Sequence, residues 1–114
     1  MPMLKIQTNV TLDTNAGHAL VAEASRAVAA QLGKPERYVM VSLEPNATMA
    51  FGGSASPLAY LELKSIGLPQ GRTTDLSKAL CDLVNTKLGV PADRVYIEFA
   101  DAKGALWGWN GGTF

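Results

Sequence analysis

The sequence predicts an α+β domain in which two β-α-β repeats build a four-stranded mixed sheet with both helices on one face. Three observations predict it. Apolar residues recur at helical spacing in two segments and at alternate positions in four others. These segments run strand, helix, strand, and then strand, helix, strand again. A weak internal repeat relates Gly33-Lys34-Pro35-Glu36-Arg37-Tyr38-Val39-Met40-Val41 to Gly89-Val90-Pro91-Ala92-Asp93-Arg94-Val95-Tyr96-Ile97, an offset of 56 in a chain of 114 residues. That length fits one domain, expected to span residues 1–114.

The first strand alternates, with Leu4 and Ile6 opposing Met3, Lys5 and Gln7. The first helix, near residues 15–32, carries Leu20, Ala24, Val28 and Leu32 in one apolar stripe, with Asn15 as its candidate N-cap. Gly33 ends it by taking a left-handed conformation, and Pro35 prevents it from resuming. The second strand sets Val39, Val41 and Leu43 against Tyr38, Met40 and Ser42. A short strand is expected around Met49–Phe51. The third sets Leu61 and Leu63 against Tyr60, Glu62 and Lys64. The second helix, near residues 73–88, presents Leu76, Leu80, Val84 and Leu88, with Thr73 or Thr74 as its cap and Gly89-Val90-Pro91 as its stop. The fourth sets Val95, Ile97 and Phe99 against Tyr96 and Glu98. One sheet face is therefore aliphatic and suits the helices. The other collects all three tyrosines and several charges, as a solvated face, a wet channel or an intersubunit surface would. The final segment, Lys103 to Phe114, alternates glycines with large aromatics and reads as a short strand docked on a sheet edge, a neighbour's in preference to its own.

Composition excludes several functions. Hydrophobic residues make up 47% and charged residues 18%, a globular balance with a formal net charge of zero, so the basic stripe that nucleic-acid binding needs is missing. Cys81 is the only cysteine, so no internal disulfide and no C-x-x-C redox pair can form; its helical context reads as a half-buried thiol. His18 is the only histidine, which rules out a histidine metal cluster or a serine triad, and it reads as a solvated residue early in the first helix. Phe51-Gly52-Gly53-Ser54-Ala55-Ser56 lacks the P-loop spacing and reads as a turn. No cofactor or metal is expected. No apolar run reaches membrane-spanning length and the N-terminus has no charged-then-apolar leader, so a cytoplasmic location is expected.

What remains is Pro2. If Met1 is removed, Pro2 presents a secondary amine at the start of a strand. Burial or a nearby cation would lower its pKa toward neutrality, where a base that enolises a ketone should sit. If Met1 stays, the nitrogen is locked in an amide and has no basic lone pair.

Across nearly its whole length the chain resembles the macrophage migration inhibitory factor and D-dopachrome tautomerase family. The segments that carry the resemblance are Thr8-Asn9-Val10, Gly33-Lys34-Pro35 with Tyr38, Met49-Ala50-Phe51-Gly52-Gly53, Ser65-Ile66-Gly67, Asp93-Arg94-Val95-Tyr96-Ile97 and Gly108-Trp109-Asn110. The resemblance implies a symmetric trimer with active sites between subunits, and tautomerisation of phenylpyruvate-like α-keto acids with Pro2 as general base. It implies that Lys34 binds the substrate carboxylate and depresses the Pro2 pKa. It gives Ser65 and Ile66 to the substrate pocket, with the Ile66 amide as a hydrogen-bond donor. A neighbour's Tyr96 would line the pocket, and Trp107 and Phe114 would form its apolar wall. It also implies a protein receptor as a candidate partner, and secretion without a leader. Each residue has a plainer reading: Lys34 as a cation favoured at a helix end, Ile66 as core, Tyr96 as one residue of an amphipathic face. Two departures stand out. Leu58-Ala59-Tyr60-Leu61 replaces the C-x-x-C of vertebrate members, so thiol redox activity is not expected. Glu98 replaces an asparagine and Trp107 a smaller aliphatic residue, which predicts an altered substrate preference.

Overall fold

The computed structural model describes residues 1–114. Its order is β1 (Met3–Thr8), α1 (Thr14–Leu32), β2 (Met40–Glu44), β3 (Ala59–Ile66), α2 (Thr73–Leu88), β4 (Val95–Ala102), then two-residue strands β5 (Gly108–Trp109) and β6 (Gly112–Thr113). The main sheet runs β2-β1-β3-β4. β1 is parallel to β2, antiparallel to β3, and β3 is parallel to β4. The mixed sheet and two β-α-β halves match the sequence reading. The halves meet at the antiparallel β1–β3 pair, so the internal repeat becomes an approximate two-fold relation between them.

The core lies between the sheet and the helices. Leu4, Ile6, Leu61 and Leu63 are fully buried on the two central strands. Leu20, Ala24 and Val28 of α1 and Leu76, Leu80, Leu83, Val84 and Leu88 of α2 cover them. Burying each leucine stabilises the fold by about 1.5–3 kcal/mol before chain entropy is charged against it. The edge strands β2 and β4 are only half covered, and Met40 and Tyr96 on them are each 66% exposed. No helix is long and apolar enough to cross a membrane.

The helix stops behave as the sequence predicts. Gly33 and Gly89 take φ of 62° and 69°, the left-handed region that a side chain would strain. The N-caps differ from expectation. Asp13, not Asn15, caps α1: its carboxylate accepts from the Ala16 amide at 2.7 Å. Neither Thr73 nor Thr74 caps α2, whose N-cap is Arg72 without a side-chain bond; the Thr73 hydroxyl instead donates to the Gln70 carbonyl. The short 3-10 turn at Gln70–Arg72 runs directly into α2 and displaces the cap.

Two further expectations change. Met49–Phe51 forms no strand, only a single bridge between Phe51 and Ser54, because Gly52 and Gly53 at φ of 59° and 77° turn the chain at once. Tyr38 does not share a sheet face with Tyr60 and Tyr96. Pro35 starts a 3-10 turn at Glu36–Tyr38, so β2 begins only at Met40. Within one chain the C-terminal segment forms a hairpin, β5 with β6, through Asn110-Gly111, both at positive φ (52° and 77°), as a two-residue hairpin turn requires; it does not join the edge of its own main sheet.

Candidate active site

Pro2 sits immediately before β1, and its carbonyl accepts from the Met40 amide at 3.0 Å. That bond extends the β1–β2 ladder and fixes Pro2 at the sheet end, where it is buried. Around it lies a cavity of about 280 Å³ lined by three short stretches of chain and Phe114. Met1, Pro2 and Met3 come from the N-terminus, Arg37 to Met40 from the 3-10 turn and the start of β2, and Trp107 to Trp109 from the final hairpin.

The aromatic wall holds itself together. Tyr38 meets Trp109 edge-on at 5.5 Å between ring centroids and Phe114 edge-on at 5.7 Å. Trp109 and Phe114 stack at 5.1 Å. Such pairs contribute about 0.5–1.5 kcal/mol each beyond the area they bury. The Phe114 amide donates to the Trp107 carbonyl at 3.2 Å, which closes the hairpin onto the cavity. Gly104 is needed there, since a Cβ on it would lie 2.6 Å from the Phe114 carbonyl oxygen.

Lys34 stands just beyond α1. Its amide donates to the Ala29 carbonyl at 3.0 Å, so the helix stop fixes its backbone. The Met1 amine nearby has its pKa lowered, first by burial and then by the Lys34 charge. Both causes disfavour the ammonium form and favour a free base.

The structure places the other expected residues apart. The antiparallel register that pairs Met3 with Lys64 carries Pro2 to the level of Ser65, which is buried and hydrogen-bonds at 3.4 Å to the Ile66 carbonyl. Ile66 ends β3 and is half-buried. Neither lines the cavity. Tyr96 pairs with Tyr60, which pairs with Gln7, at the other end of the sheet. Five residues of β3 separate that level from Ser65, roughly 16 Å of strand. Tyr96 there packs on Phe51 at 4.7 Å. Glu98 pairs with Glu62, and the Tyr60 hydroxyl donates to both carboxylates, at 3.2 Å to Glu62 and 3.5 Å to Glu98. Burial first, then these two charges, pushes the Tyr60 phenol up. Within one chain, then, Pro2, Trp107 and Phe114 share a cavity, Lys34 acts on it by charge, and Tyr96 and Glu98 lie beyond reach. Sequence reasoning missed Arg37, Tyr38 and Trp109 as cavity residues. The Asn110-Gly111 signal would have found the hairpin that brings Trp109 in.

The other residues singled out behave quietly. His18 is exposed, and Cys81 is half-buried with its thiol pushed up by burial.

The sequence model of the macrophage migration inhibitory factor (MIF) family matches residues 1–114. The chain belongs to that family. It is 38% identical to the macrophage migration inhibitory factor of Xenopus laevis over 115 aligned positions, covering all of this chain and 99% of the relative. It is also 38% identical to the Trichinella spiralis homolog, with both chains fully covered. Among solved structures, the Prochlorococcus marinus homologue superposes with a TM-score of 0.92 at 45% identity over 98% of each chain. The family's fold therefore accounts for the two β-α-β halves and the N-terminal start of β1 beside the final hairpin.

Proposed function

We propose that the chain is a cofactor-free keto–enol tautomerase acting on phenylpyruvate-like α-keto acids, with Pro2 as the base once Met1 is gone. Membership of the MIF family, which includes tautomerase-type isomerases, supports the reaction class. The observation that carries the assignment is the cavity itself: Pro2 lies buried at its floor, with an aromatic wall and a lysine charge beside it. While Met1 is attached, it blocks the Pro2 nitrogen as an amide and lines the same cavity. Its removal would place the free amine deeper than the Met1 amine now lies. Burial and Lys34 then act on it in the same direction.

In the reaction, the Pro2 nitrogen takes the proton from the carbon next to the ketone. The C–H electron pair becomes the enol double bond, and the carbonyl π pair moves to oxygen. That oxygen takes a proton back from the prolinium, so the net change is isomerisation. In this reading Trp107 and Phe114 hold the substrate's apolar portion, and the Ile66 amide, at the end of β3 beyond the cavity lining, donates to a substrate oxygen that reaches past the floor.

The reading also needs more than one subunit. Tyr96 and Glu98 lie on the exposed edge strand β4, roughly 16 Å in Tyr96's case from the level of Pro2. A ring of three copies, the assembly the resemblance implies, would bring the partner subunit's Tyr96 and the partner subunit's Glu98 to this cavity. It would also cover the two open sheet edges.

The test is phenylpyruvate tautomerisation, followed by ultraviolet absorbance, on protein whose intact mass shows Met1 absent. Pro2→Gly should lower kcat/KM by at least about 100-fold, the usual worth of a positioned base. Light scattering should return three times the chain mass. A free Pro2 without turnover would refute the enzyme reading and favour a ligand- or receptor-binding assembly.

A further inference from the structure

We propose that Arg37 is a second anion-binding group at the mouth of the Pro2 cavity, selecting substrates that carry another negative charge beside the α-keto carboxylate. Lys34 keeps the first carboxylate, as the resemblance implies. This rests on the tautomerase reading and names the substrate class of that same site: an α-keto dicarboxylate bearing a flat apolar group.

The turn after α1 fixes where Arg37 starts. The Tyr38 amide donates to the Pro35 carbonyl at 3.1 Å, and the Val39 amide to the Glu36 carbonyl at 2.9 Å. Arg37 lines the cavity and is exposed, so it stands where the cavity meets solvent. Its guanidinium carbon lies 4.8 Å from the Tyr38 ring centroid. Tyr38 is wedged edge-on against Trp109 and Phe114, so the ring under the guanidinium is itself held. A guanidinium resting on a ring face keeps its donor edge free for an anion. Nothing in the chain uses that edge. The ion pairs of the structure are Lys64–Glu62, Lys78–Asp82 and Lys87–Glu23, so even the adjacent Glu36 pairs with no cation. The arginine side-chain hydrogen bonds belong to Arg72 and Arg94.

The charges around the cavity are unbalanced. No residue lining it has an acidic side chain. Lys34 lies close enough for its charge to act on the N-terminal amine. Three positions separate Lys34 from Arg37, at most about 11 Å of chain, so one ligand head can meet both cations. A monocarboxylate neutralises one of them and leaves the other uncompensated. A second carboxylate on the same head neutralises both, and the planar guanidinium takes it through two parallel N–H donors. The wall beside Arg37 is apolar and aromatic, with Val39, Trp107, Trp109 and Phe114, and suits the flat group.

The experiment uses Met1-free protein and three inert probes built on one skeleton. 3-Phenylpropionate has one carboxylate and benzylmalonate has two. Benzylmalonate monoamide matches the second in size and the first in charge. Binding is read above neutral pH, where both carboxyls are ionised, from the fluorescence of Trp107 and Trp109, the only tryptophans of the chain. Wild type should bind benzylmalonate about fivefold tighter than either monoanion, and the preference should shrink as salt rises. Arg37→Gln should bring the three affinities within about twofold of one another. Lys34→Gln should weaken all three probes alike and keep the preference. No preference in wild type, or a preference that survives Arg37→Gln, would overturn the proposal. So would a preference that emerges only in Glu98→Gln, since the partner subunit's Glu98 would then already occupy Arg37. If phenylpyruvate is not turned over while the dianion preference still depends on Arg37, the anion site stands and only the tautomerase reading falls. Arg37 is exposed, so far-ultraviolet dichroism should show Arg37→Gln folded.

Discussion

Gly104→Ala isolates the hairpin's hold on the cavity. Gly104 does not have a positive φ, so alanine meets no backbone penalty there. The added methyl carbon would lie 2.6 Å from the Phe114 carbonyl oxygen and 3.1 Å from its carbon. A carbon–oxygen contact relaxes to about 3.3 Å or more, so the Phe114 backbone must retreat by about 0.7 Å. A gap of that size forfeits a quarter to a half of a van der Waals well. Phe114 stacks on Trp109 and meets Tyr38 edge-on, so both contacts loosen, at a combined cost of about 1 kcal/mol. The hairpin contributes nothing to the buried cluster between sheet and helices. The loss should therefore appear as local opening, with the thermal midpoint within about 3 °C of wild type. Near-ultraviolet dichroism of the tryptophans should weaken, and KM for phenylpyruvate should rise several-fold. Gly71→Ala is the control, since no atom lies within 4 Å of the carbon it adds. Near-ultraviolet spectra identical in wild type and Gly104→Ala would refute the claim that Gly104 seats the aromatic wall.

Asp13→Ala should lower stability by about 1 kcal/mol in urea unfolding, while Asn15→Ala should change it by less than about 0.5 kcal/mol, because Asp13 holds the cap; equal losses would contradict that assignment. Glu98→Asn removes one of the two carboxylates that raise the Tyr60 phenol. Absorbance titration should show one tyrosine ionising at lower pH than in wild type, still above the ordinary range because burial and Glu62 remain. An unmoved titration curve would mean that Glu98 does not bear on Tyr60.

The helices and the central strands were legible because their period matches their burial. Leu20, Ala24 and Val28 had to share one face, and Leu4, Ile6, Leu61 and Leu63 had to share another. The glycine stops were legible for the same local reason. Asp13 was hidden because the cap competes over neighbouring residues, and the chain entering α1 decides which side chain reaches the free amides. Tyr38 was misplaced because Pro35 starts a turn where alternation alone suggested strand. In the candidate site, Pro2, Lys34, Trp107 and Phe114 came from resemblance to a family, since Met-Pro and a terminal aromatic carry little signal alone. Arg37 and Trp109 were illegible because their place at the cavity depends on a turn and a hairpin converging, and neither repeats with a period.

The internal repeat gives each half a cavity of about 280 Å³ at the equivalent place, and the side chains that line them make the two different. At the offset of 56, Pro2 corresponds to Leu58, Lys34 to Val90, Arg37 to Asp93 and Tyr38 to Arg94. The backbone obeys the repeat: the 3-10 turns at Glu36–Tyr38 and Ala92–Arg94 both follow a proline and lead toward an edge strand. The side chains do not. Leu58 and Val90 are buried in apolar surroundings where the first half has an imide ring at a cavity and an ammonium. In the first half, Tyr38 turns toward the aromatic wall. In the second, Arg94 gathers the carbonyls of Phe51, Ser54, Ser56 and Pro57, at 2.9–3.2 Å. Those carbonyls belong to the connection between β2 (Met40–Glu44) and β3 (Ala59–Ile66). That connection walls a second cavity of about 280 Å³ beside Leu58, the equivalent of Pro2, with Ala59 and Tyr96 across from Met49 to Gly52, and Arg94 supplies the donors its irregular backbone needs. The same fold thus sets a cationic, aromatic cavity beside Pro2 in the first half and, beside Leu58 in the second, a cavity whose wall is a connection held by the hydrogen bonds of Arg94.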